Sequence, residues 1–191
     1  RKMEPEKVKQ AGQLARQMDA AIVVVGENSM REQWMEKTCG ENMDRSDIHL
    51  PGLQQELVEE VHKAGIPVVV VLVNGRQLGV EWIAEHASAL IEAWEPGSFG
   101  GQAVAEILYG KVNPSGKLPV TVPRHVGQIQ CVYNQKSANT WFPYALGNSN
   151  PLFCFGYGLS YTQFEYTRLS IDRTTMQATD TARLLVNVTN V

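Results

Sequence analysis

A polar stretch of about two dozen residues, Glu27 to Leu50, carries the carboxylates Glu27, Glu32, Glu36, Glu41, Asp44 and Asp47. Side chains of this kind move protons. Two of them about 5 to 5.5 Å apart satisfy the requirement for retaining cleavage of a glycosidic bond, one protonating the leaving oxygen while the other attacks or stabilises the sugar. For any single acid the competing reading is a solvated loop carboxylate. The length of the segment argues for function, because a connection this long without regular structure is uncommon in a compact domain and is usually either functional or disordered. Trp34, Met30, Met35 and Met43 lie in the same stretch and supply apolar side chains that would keep it ordered.

Other chemistries find no support in the residue pattern. The segment Trp94-Glu-Pro-Gly-Ser-Phe-Gly-Gly101 is placed like a phosphate loop but is neither a Walker sequence nor Gly-x-Gly-x-x-Gly, so it reads as a tight strand-to-helix turn. No Gly-x-Ser-x-Gly elbow is present for a serine nucleophile. His49, His62, His86 and His125 lack the helical spacing of a zinc pair, and Cys39, Cys131 and Cys154 have neither metal-ligand spacing nor an even count, which makes them free thiols or packing residues. The aromatic run Phe153-Cys-Phe-Gly-Tyr-Gly-Leu-Ser-Tyr161 suits either a sugar subsite or a buried joining strip. A formal net charge of -3 with scattered Lys and Arg excludes the basic stripe that nucleic acid or an anionic membrane needs. No apolar run approaches the ~20 residues of a spanning helix.

The elements that would position the acidic loop follow from hydrophobic period. Val8, Ala11, Leu14, Ala15 and Met18 recur at steps of three and four after Pro5, predicting a helix over Pro5–Met18. Ala20 to Val25 is a continuous β-branched run ending in Gly26, as expected for a central parallel strand covered on both faces. A second amphipathic helix between Pro51 and Gly65, a strand from Ile66 to Val73, a short helix from Val80 to His86, a strand from Ala87 to Ala93 and a helix from Gly100 to Tyr109 complete an alternating series. The fold class that follows is α/β: a mostly parallel sheet flanked by helices, as a three-layer α/β sandwich. Beyond Gly110 the chain is rich in Gly, Pro and Asn and loses both periods. Alternation returns over Phe164–Ile171 and Ala182–Val188, predicting half-buried antiparallel strands that open a β-sandwich. With Arg1-Lys2 at one end and Asn190-Val191 inside a strand pattern at the other, the chain reads as part of something larger.

Three segments together resemble the carboxy-terminal α/β domain of glycoside hydrolase family 3, which includes β-glucosidases and β-xylosidases. They are Ala20 to Pro51, with Glu41-Asn-Met-Asp-Arg-Ser-Asp-Ile-His-Leu-Pro51; Ala93 to Pro119; and Pro151 to Phe164. The resemblance implies residues 1–163 as that α/β domain, incomplete at its start, and residues 164–191 as the beginning of a fibronectin-type-III-like domain. It also implies a retaining exo-β-glycosidase acting on an oligosaccharide or aryl β-glycoside. An amino-terminal (β/α)8-type barrel of the same parent would supply the aspartate nucleophile, and this domain would lend the acid/base glutamate on a loop laid across the barrel mouth. Glu41 stands where the family glutamate commonly does, before Arg-x-Asp-x-x-Leu-Pro, with Glu27 and Glu36 as alternatives in a loop of variable length. Arg45, Asp47 and Trp34 are the residues expected to hold the loop or touch substrate. Carboxylate chemistry needs no metal or organic cofactor. The parent is expected in the periplasm or secreted, with a cytoplasmic place left open by the odd cysteine count, and the isolated piece is expected to be inactive. The reading from a different class is a non-catalytic carbohydrate-binding or interaction module.

Overall fold

The computed structural model describes residues 3–29, 37–128, 131–134 and 147–191. Its first part alternates helix and strand: α1 (Pro5–Ala15), β1 (Ala21–Gly26), α2 (Gln54–His62), β2 (Val68–Val73), α3 (Glu81–His86), β3 (Ala89–Glu92) and α4 (Gly100–Leu108). The strands form one parallel sheet in the order β1-β2-β3, with Val23 opposite Val70 and Val25 opposite Leu72. Parallel neighbours need crossovers, and α2 and α3 supply them. The expected parallel sheet flanked by helices is what forms.

The core lies on one face of this sheet. Val23, Val25, Val68, Val70 and Leu72 point the same way, because alternate residues of a strand share a face, and they meet Ala15 of α1, Val58 and Val61 of α2 and Ile83 of α3. Burial of each such side chain stabilises the fold by roughly 1.5–3 kcal/mol. β2 is the central strand. β1, expected from its unbroken apolar run to be central and doubly covered, is an edge strand here, with Ile22 54% and Val24 62% exposed on the face away from the core. A run of valines states that a strand is apolar on both sides without stating that both sides are packed.

After α4 the chain is irregular, as expected, with one turn of 3-10 helix at Val126–Gln128 and an isolated bridge between Val122 and Phe153. The three cysteines are free: Cys39 buried, Cys131 half-buried and Cys154 exposed. A polar knot at Asn113 then joins the end of α4 to the next element. Its Oδ1 accepts the backbone N–H of Tyr161 at 2.8 Å, its Nδ2 donates to Ser160 Oγ at 2.9 Å and Thr162 Oγ1 at 3.2 Å, and the Tyr161 hydroxyl donates to the carbonyl of Ile107 at 2.9 Å. The ribbon that follows, β4 (Phe164–Ile171) and β5 (Leu184–Asn190), is antiparallel, with a register shift between Thr167 and Ser170. Its residues are exposed on both faces rather than half-buried, because two strands offer no second layer for either face to pack on.

Candidate active site

The loops that leave the carboxyl ends of the parallel strands converge, which is where open α/β sheets build their sites. β1 ends in Gly26, whose φ of 153° and close approach to the Val73 carbonyl leave no room for a side chain: a Cβ there would lie 1.8 Å from that oxygen. Gln54, the first residue of α2, holds the same end through its amide, accepting from Gly26 N–H at 2.7 Å and donating to the Gly26 carbonyl at 2.8 Å. The strand end is therefore fixed before the acidic loop begins.

Glu27 turns inward at this point. Its side chain is 0% exposed, with Arg45 Nη1 2.7 Å from Oε1 and Arg76 Nε 3.2 Å from Oε2, the second contact lying out of line for a hydrogen bond. A carboxylate is stable out of water only when cations or donors replace its hydration, and two arginines do so here. The loop then pinches shut: Asn28 N–H donates to Thr38 Oγ1 and Thr38 N–H donates to the Asn28 carbonyl, both at 2.8 Å. Trp34 and Glu36, which stand between these two residues in the sequence, lie outside the described residues, as does Glu32.

Beyond the pinch a β-turn presents Glu41. Met43 N–H donates to the Gly40 carbonyl at 3.1 Å, and Asn42 takes the third position at φ 58°, a conformation that Asn and Gly adopt most readily. Glu41 is exposed, while its own carbonyl accepts from the ammonium of Lys37, a side chain buried beneath the turn. Arg76, which comes from the β2–α3 loop, donates through Nη2 to the carbonyls of Met43 at 3.2 Å and Thr38 at 3.4 Å. Arg45 donates through Nη2 to the His49 carbonyl at 3.0 Å, and Asp47 accepts from the His49 backbone N–H at 3.1 Å. That backbone N–H, and then the His49 ring, hold the Asp47 carboxyl below its ordinary value.

The structure thus brings together Glu27, Arg45 and the Glu41 turn, and leaves Asp47 bonded to its own neighbour rather than to Arg45. Arg76, Lys37 and Gln54 belong to the same assembly and did not emerge from the sequence. Arg76 was within reach: it lies just past the carboxyl end of β2, and the ends of adjacent parallel strands must meet.

Behind Arg76 is a polar pair, Asn74 buried and Glu92 half-buried. Asn74, 0% exposed, donates through Nδ2 to the Arg76 carbonyl at 2.7 Å and to Glu92 Oε2 at 3.3 Å, and Trp94 N–H donates to Glu92 Oε1 at 3.0 Å. Burial pushes the Glu92 carboxyl up, with the Trp94 and Asn74 donors pulling the other way. Burial likewise raises the Cys39 thiol, helped by the carboxylates of Glu27 and Glu95 and opposed by Arg76 and the Gly75 N–H. Among the described residues no group of three or more His, Cys, Asp or Glu side chains is arranged to hold a metal ion.

Comparison with known proteins gives this arrangement a context. The sequence profile of the glycosyl hydrolase family 3 C-terminal domain matches residues 3–161. A β-xylosidase of Formosa agariphila is 43% identical over 179 residues, covering 92% of this chain and 24% of that protein. A periplasmic β-glucosidase of Salmonella typhimurium is 37% identical, covering 96% of this chain and 24% of its own length. Among solved structures, a β-glucosidase from Erythrobacter marinus superposes with a TM-score of 0.85 at 38% identity, over 98% of this chain and 25% of that one. The chain therefore spans about a quarter of the length of these relatives.

Proposed function

Because the chain belongs to glycosyl hydrolase family 3, as a C-terminal domain of that family, we propose that it is the acid/base-bearing part of a retaining exo-β-glycosidase and that Glu41 is its catalytic carboxyl. The observation that supports Glu41 is the contrast within the loop. Glu41 stands exposed on a turn whose backbone is gripped from beneath, whereas Glu27 is sealed between arginines where no substrate oxygen reaches it.

In the first half-reaction the Glu41 carboxyl gives its proton to the glycosidic oxygen as the C–O bond breaks, while a carboxylate of the partner barrel bonds to the anomeric carbon. In the second, the Glu41 carboxylate takes a proton from the water that displaces the barrel carboxylate, and both groups return to their starting states. The substrate is a terminal β-linked sugar of an oligosaccharide or aryl glycoside, in keeping with the β-xylosidase and β-glucosidase names of the relatives. Residues 1–163 form the α/β domain and 164–191 open a fibronectin-type-III-like domain; the family match ends at 161 and the sheet changes from parallel to antiparallel at Phe164. The periplasmic name of one relative supports action outside the cytoplasm.

The test is Glu41→Ala in the full-length parent. Hydrolysis of a disaccharide is expected to fall about 10²–10⁴-fold, the yield of general acid–base catalysis. An aryl glycoside with a good leaving group should lose far less in kcat/KM, and added azide should restore kcat with formation of a glycosyl azide. Equal losses on both substrates with no azide product would refute the assignment.

A further inference from the structure

We propose that Arg76 is the positioning residue for Glu41, so that the direction in which this loop offers its proton is set by a side chain from the neighbouring β2–α3 loop; the proposal rests on the reading of Glu41 as acid/base. The guanidinium spans the root of the Glu41 turn. One of its terminal nitrogens bonds the carbonyls of Thr38 and Met43, which lie on either side of Glu41 in the chain. Its Nε faces the buried Glu27 carboxylate at 3.2 Å, and its backbone carbonyl is pinned by the fully buried Asn74 amide at 2.7 Å. Glu27 is held from the other side by Arg45, which also bonds the His49 carbonyl where the loop returns to α2.

These bonds join both limbs of the turn to the ends of β1 and β2. The planar fork of an arginine fixes direction as well as distance, which a lysine ammonium does not. Asn74 shapes the backbone that aims Arg76, and Glu27 neutralises it. Arg76 itself touches no reacting atom in this scheme. Its effect passes through the placement of the Glu41 carboxyl, and proton transfer needs that carboxyl within about 2.6–3.2 Å of the glycosidic oxygen.

The experiment uses the full-length enzyme with Arg76→Gln, Arg76→Lys and Glu41→Ala, each assayed on a disaccharide and on an aryl glycoside whose phenol leaves without protonation. Displacing a catalytic group by about 1 Å costs on the order of 100-fold, so Arg76→Gln should lower kcat/KM for the disaccharide by roughly 30- to 100-fold. For the activated glycoside the loss should stay within about 3-fold, since that step needs no acid. Arg76→Lys should fall between the wild type and Arg76→Gln. The ratio of the two losses is independent of the fraction of enzyme that is folded, so a merely structural role would leave it at one. If Glu41→Ala discriminates between the substrates and neither Arg76 variant does, the positioning role is refuted and the Glu41 reading stands. If Glu41→Ala itself fails to discriminate, both readings fall.

Discussion

Glu27 and Glu41 are the same amino acid in the same loop, and the fold puts them in opposite surroundings. Taking a carboxylate out of water costs several kcal/mol, which the two arginines offset at Glu27, while Glu41 is exposed on its turn. The sequence carries both as candidate acids, because residue type says nothing about which member of an acidic loop turns inward. Glu92 is the residue whose environment can be read most directly in solution. Its carboxyl is raised by burial, so folding is favoured by its protonated form: that contribution is fully present below the ordinary glutamate value and is lost as pH rises through the raised one. Glu92→Gln removes the charge while keeping an acceptor for the Trp94 N–H. Thermal unfolding should show this variant more stable than the wild type at pH 7, with the difference shrinking as pH falls through the raised value and gone once it reaches about 4.3. A difference that grows on acidification would mean that Glu92 is stabilised as the anion. Asp47 has the opposite sign, its lowered carboxyl contributing stability above the ordinary aspartate value and losing it in acid, although its exposure keeps that contribution small.

At the scale of elements, each parallel strand and its crossover helix was legible, since a β-branched run bounded by Gly and an apolar stripe at helical steps admit few other readings. Gly26 shows why the end of β1 was legible too: only glycine fits beside the Val73 carbonyl, so the strand stops there and the loop starts in a fixed direction. Gly26→Ala should destabilise the chain by about 3 kcal/mol or more, the mark of backbone strain with no side chain free to yield, measured as a lower denaturant midpoint at unchanged slope. A loss under about 1 kcal/mol would mean that β1 and β2 can part without harm. What the sequence withheld were pairings between loops. Arg76 and Glu27 are 49 positions apart, and no period links a βα loop to its neighbour; only the parallel register of β1 on β2 brings them face to face. The same limit explains β1 itself, whose position at the edge depends on what lies beside it and not on its own composition.

For the whole molecule, the fold and the family were legible in long specific segments, while the sugar, the linkage and the nucleophile were not, because the proposed scheme assigns them to a partner barrel. The chain covers about a quarter of its relatives. Purified alone, it is expected to release no measurable phenol from an aryl β-glycoside at any pH, because the proposed scheme gives it one of the two carboxyls that the reaction needs. Turnover by the isolated chain would refute the two-domain scheme, and sugar affinity without turnover, measured by calorimetric titration, would favour a binding module instead. The knot at Asn113 bears on how the terminal ribbon moves. Because the Tyr161 hydroxyl bonds the last turn of α4 and the Asn113 amide, just beyond that helix, bonds Ser160 and Tyr161 at the root of β4, the ribbon is mounted like a lever on a pivot instead of swinging on a slack tether. A load applied to it would be carried into the last turn of α4 through the Tyr161 hydroxyl.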